Sequence, residues 1–122
     1  MPALRGPNPD GDAQNVRFGD LTTIPHDTAA HIIFVVFDIQ IPHSGSLKDK
    51  RRVLKSLKDR VRARFNASIA EIDHQDEWQR SIIGITMISN DRQHLERGFA
   101  ALNRLVEEVG DIQLLNIGCE WL

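Results

Sequence analysis

Two apolar rhythms alternate along this chain. From His31, the run HIIFVVFDIQI is dense in β-branched and aromatic residues and reads as a strand, with Ile33, Val35, Phe37, Ile39 and Ile41 on one face. Pro42 ends it, and Ser46 stands as an N-cap with Asp49 three residues on, in a capping-box position. A helix is predicted from there to about Phe65, its apolar face carrying Leu47, Leu54, Leu57, Val61 and Phe65. Strand patterns return over 66–74 and 81–89, separated by the turn QDEWQ. Asn90 is placed to cap a second helix, in which Leu95, Phe99, Leu102, Val106 and Val109 are spaced 4, 3, 4, 3. A last strand is predicted over 112–121, with Leu115, Ile117, Cys119 and Trp121 on one face.

The order β-α-β-β-α-β, in two similar halves, predicts an α+β ferredoxin-like domain over residues 31–122. Its four-stranded antiparallel sheet would run in the order 4-1-3-2, with both helices on one face. The other face would then carry Ile32, Phe34, Val36, Ile82, Ile88 and Leu114, an apolar surface of the kind that marks an interface. Its expected cover is a second copy, making a homodimer, or a folded-back tail. Residues 1–30 hold four of the five prolines and no periodicity, and read as a flexible N-terminal extension. Val16, Phe18, Leu21 and Ile24 are the residues through which part of it could dock on the domain.

Charge sharpens the first helix. Residues 46–64 hold nine of the fifteen lysines and arginines with only two acids, a local +7 that leaves −9 on the remainder of a −2 chain. Arg51, Lys55, Lys58 and Arg62 are spaced 4, 3, 4 and share a helix flank, with Lys48 and Arg52 extending the stripe. Such a stripe fits phosphate backbones or an acidic protein surface. The RNA-recognition-motif mode is not expected, because the third strand, SIIGITMIS, offers no aromatic residue for stacking.

A second constellation gathers at the middle turn: Asp73, His74, Asp76, Trp78 and Arg80, with Glu71 beside them. An acid next to a histidine can orient a general base. The plainer reading is a hydrogen-bonded turn with a packed Trp78. No histidine spacing makes a ligand set, so no metal, cofactor or catalytic residue is assigned. Cys119 reads as a buried structural thiol. A lone cysteine, the absence of an apolar secretory core in MPALRGPNPDGDAQ and the absence of a long apolar run fit a cytoplasmic protein with no membrane role.

SLKDKRRVLKSLKDRVRARFN, SIAEIDHQDEWQRSIIGI and ISNDRQHLE together resemble the YlxP-like family of small bacterial proteins, over about residues 31–121. The resemblance implies a ferredoxin-like fold and a genomic setting beside transcription-elongation and translation-initiation factors. It implies no catalytic residues. The reading that joins these observations is a non-catalytic accessory protein that meets ribosomal RNA, or an acidic protein surface, through its basic helix. The rivals are a small-molecule-binding or regulatory homodimer, and a small enzyme using Asp73 and His74.

Overall fold

A computed structural model describes residues 29–122; the extension expected over 1–30 falls almost entirely outside the described residues. The chain runs β1 (His31–Gln40), α1 (Leu47–Arg64), β2 (Ser68–Asp73), β3 (Arg80–Ser89), α2 (Arg92–Glu108) and β4 (Gln113–Trp121). The strands form one antiparallel sheet in the order β2-β3-β1-β4, which is the predicted order read from the other edge. The fold is the ferredoxin-like βαββαβ arrangement.

β1 alternates strictly, and its Ile33, Val35, Phe37 and Ile39 are buried beneath the helices. β3 adds Ile83, Ile85 and Met87. α1 presents Leu54, Leu57 and Val61, and α2 presents Leu95, Leu102, Leu105 and Val106. Each of these large apolar groups contributes about 1.5–3 kcal/mol by leaving water.

Helix starts follow local chemistry. Ser46 Oγ accepts from the Asp49 amide at 3.0 Å, and Asp49 Oδ2 accepts from the Gly45 amide at 3.0 Å. The capping acid thus reaches one residue further back than the standard box. α2 is capped by Asp91 rather than Asn90, because the Asp91 carboxylate accepts from the amides of Gln93 and His94.

Three expectations change at the last strand and the turn. β4 pairs Ile39 with Leu114 but Asp38 with Asn116, so Leu115 is the extra residue of a bulge. Leu114 therefore packs against the core instead of joining the open face, and Leu115 is exposed. Cys119 lies opposite Val35 but is exposed, because β4 is the edge strand and little lies over that position. Trp78 is not packed into the turn: it is 53% exposed.

Candidate nucleic-acid interface

α1 makes one continuous helix of 18 residues, about 27 Å long. Its side toward α2 is marked by two depressions. One is shared by Arg52, Val53 and Ser56 with Asp111, the other by Arg64 with Arg97, Gly98 and Ala101 of α2. At 100° per residue, Arg51, Lys55, Lys58 and Arg62 fall on the opposite flank, on the side of the edge strand β2 against which α1 packs.

Not every expected cation on this helix is free. Lys55 Nζ is 2.8 Å from Asp59 Oδ2, and this hydrogen bond holds the Asp59 carboxyl below its ordinary range. Arg52 pairs with Asp49 and turns toward the α2 side. Among the described residues, Lys48, Arg51, Lys58 and Arg62 make no ion pair. They form a row reaching about 20 Å along the outer flank, with Lys58 half-buried and the other three exposed.

Lys50 sits where sequence reasoning placed no site. It fills the core-facing position of the series Leu47, Leu54, Leu57, Val61 and is 1% exposed. Its ammonium donates to the carbonyls of His74 (2.6 Å), Glu77 (2.6 Å) and Arg80 (3.0 Å), and lies 2.8 Å from Glu71 Oε2. Ser81 Oγ donates to the same carboxylate oxygen at 2.6 Å. A buried charge needs this degree of satisfaction. The result is a tie from the first turn of α1 to the whole β2–β3 connection. The signal was present as a lysine in an apolar register, spaced 3, 4, 3 from its neighbours.

This tie decides the second constellation. His74 has φ 62°, the left-handed region, which aims its carbonyl at Lys50. Its imidazole Nδ1 pairs with Glu77, while the Asp73 carboxylate accepts from the His74 backbone amide at 2.7 Å. Asp73 and the His74 ring are thus not joined as an acid–base pair. Asp76 is exposed at the tip. Arg80 leaves the group for the open sheet face, where its Nη2 reaches both oxygens of Asp38 at 2.9 and 3.1 Å. Trp78, Asp76 and Arg80 line an open depression of about 610 Å³ with Gln40. Among the described residues, no group of three or more His, Cys, Asp or Glu side chains is placed to hold a metal ion. No helix among them is long and apolar enough to cross a membrane.

Residues 32–119 match the family described as "Protein of unknown function (DUF503)". The chain belongs to that family. The match takes in nearly all of β1, all of α1 through α2, and β4 up to Cys119, so the basic helix and the Lys50 tie lie inside the family domain. A relative of similar sequence is the uncharacterized protein YlxP of Bacillus subtilis (strain 168), 38% identical over 78 residues, which cover 64% of this chain and 85% of that one. Among solved structures, the de novo designed protein Foldit4 is similar at TM-score 0.49 and 10% identity, over 76% of this chain and 96% of the design. A C-terminal segment of the alpha subunit of aIF2 from Pyrococcus abyssi is similar at TM-score 0.43 and 20% identity, over 71% of this chain and 50% of that one.

Proposed function

We propose that this DUF503 protein is a non-catalytic accessory protein that docks on the phosphate backbone of structured RNA, ribosomal RNA foremost, through the outer flank of α1. The observation that carries this reading is the row Lys48, Arg51, Lys58 and Arg62, which makes no ion pair among the described residues and is borne on a helix anchored at its first turn by Lys50. A rigid row of cations at helical spacing offers successive phosphate contacts and releases their counterions. Base readout is not part of the mechanism. β3 carries no aromatic side chain, and Phe34 is the sole aromatic that the strands themselves place on the open face.

Lys55 adds to the row when a phosphate displaces Asp59 from it. The test is a titration of fluorescent double-stranded RNA across salt concentrations. Four phosphate contacts give a log–log slope of roughly −3 to −4. An acidic protein partner would instead leave the RNA unbound at low salt.

A further inference from the structure

Where the last residue of α1 meets the first half of α2 lies a cleft of about 510 Å³. That volume is ordinary for a small-molecule pocket. Phe65, Met87, Leu95 and Gly98 supply apolar lining, with Met87 and Leu95 buried and Phe65 half-buried. Arg64, His94 and Arg97 line it too, and among the described residues no Asp or Glu does. Neither arginine makes an ion pair with another described residue. The acids closest in sequence to Arg97 and His94 are engaged elsewhere: Glu96 with Arg92, and Asp91 with the amides of Gln93 and His94.

Gly98 points to an occupant independently of the charges. Glycine in a helix interior is less favourable than alanine, so its place within α2 asks for a reason. Close packing does not provide one. A Cβ built there would lie 3.5 Å from both Sδ and Cε of Met87, an ordinary van der Waals distance. Gly98 and Met87 both line the cleft, so what the missing methyl group leaves is open depth.

We infer that this cleft binds a small phosphate ester with a flat apolar body, of the size of a nucleoside monophosphate. A phosphate monoester carries about −1.5 to −2 charges at neutral pH. The guanidiniums of Arg64 and Arg97 together match that charge and offer forked donors to its oxygens. A carboxylate would use only half of it. The bare backbone at Gly98 lets a ring approach α2 closely, with Met87 and Phe65 as its other apolar contacts. At 100° per residue, Arg64 lies on the flank of α1 opposite Arg51, Lys58 and Arg62. The site is thus separate from the RNA-docking row and goes beyond it.

The chain has two methionines, Met1 and Met87, so methionine methyl labelling gives a resonance that reports on the cleft. The full chain is titrated with phenyl phosphate and AMP, and with inorganic phosphate as the head group alone. Both esters are expected to move the Met87 methyl saturably, and to bind about tenfold or more tighter than inorganic phosphate through the buried ring. Arg64→Gln/Arg97→Gln should weaken both esters about tenfold or more and melt like the parent. Gly98→Ala should melt no lower than the parent yet bind the esters several times more weakly. Arg51→Gln/Lys58→Gln, on the RNA-docking flank, should bind them as the parent does. A Met87 methyl that neither ester moves overturns the inference. So does ester binding that survives loss of both arginines, and so does inorganic phosphate binding as tightly as the esters. A lower melting temperature for Gly98→Ala would make the glycine a packing requirement and contradict the inference as well.

Discussion

Lys50 Nζ lies 2.8 Å from Glu71 Oε2, with the lysine side chain 2% exposed and the glutamate 16%. The pair joins α1 to β2, and the same ammonium gathers three carbonyls of the following turn. Breaking a buried pair of this kind costs about 3–5 kcal/mol, because the abandoned charge and carbonyls stay buried. Lys50→Met is expected to lower the unfolding free energy measured in urea by that amount, and Lys50→Met combined with Glu71→Gln to cost less than the sum of the two single changes. A loss within the ~0.5 kcal/mol typical of surface lysines would contradict the tie.

Asp59 restrains Lys55 on the proposed RNA-binding flank. Asp59→Asn removes an exposed ion pair worth little to stability, so melting should hardly change. RNA affinity should rise and the salt slope steepen by up to ~0.9 as one more cation becomes available. Unchanged affinity would place Lys55 outside the contact.

Gly84 sits beside Phe34 and Ile72 on the open sheet face: a Cβ there would lie 3.2 Å from Ile72 Cγ2 and 3.2 Å from Phe34 Cε1. Both neighbours are side chains with solvent on one side, so Gly84→Ala should be absorbed at a cost of about 1 kcal/mol or less, while Gly84→Val must displace one of them and should cost about 1–3 kcal/mol. Equal melting of both variants would mean that Phe34 and Ile72 do not meet over this residue.

Cys119 is exposed on the edge strand. Native protein should react stoichiometrically with a thiol reagent at a rate close to that of a free cysteine, without denaturant. Reaction only on unfolding would return Cys119 to the core.

The fold was legible because two signals agreed. Alternation in β1 and the 4, 3, 4, 3 stripe of α2 name both the elements and their buried faces. The errors fall where a second strand or a distant partner decides the outcome. Cys119 has the right parity for the core and its strand was placed at the sheet edge, but parity alone does not say how far the helices cover an edge strand, and Cys119 is exposed. The bulge at Leu115 shifts a period-2 reading by one residue and moves Leu114 to the other face. Lys50 was read as one more member of a basic run, since its acceptors come from residues 71–80, across a helix and a strand. For the same reason Asp73 and His74, adjacent in sequence, looked like a pair. The requirement to satisfy Lys50 turns the His74 backbone and sends its ring to Glu77.

The candidate flank itself was half legible. Spacing put Arg51, Lys55, Lys58 and Arg62 on one flank of what is a continuous helix. It did not show that Arg52 and Lys55 are held by Asp49 and Asp59, one helical turn away in opposite directions. Charge counting sees the acids in the run but not which cations they engage.

The measurement that bears most directly on the proposed role is co-sedimentation of the full chain with ribosomal subunits at low and high salt, beside the variant with Arg51, Lys55, Lys58 and Arg62 changed to Gln. Association is expected at low salt, falling steeply with added salt and lost in the variant, with both proteins melting alike. Association that survives the four substitutions, or no association at low salt, would contradict it.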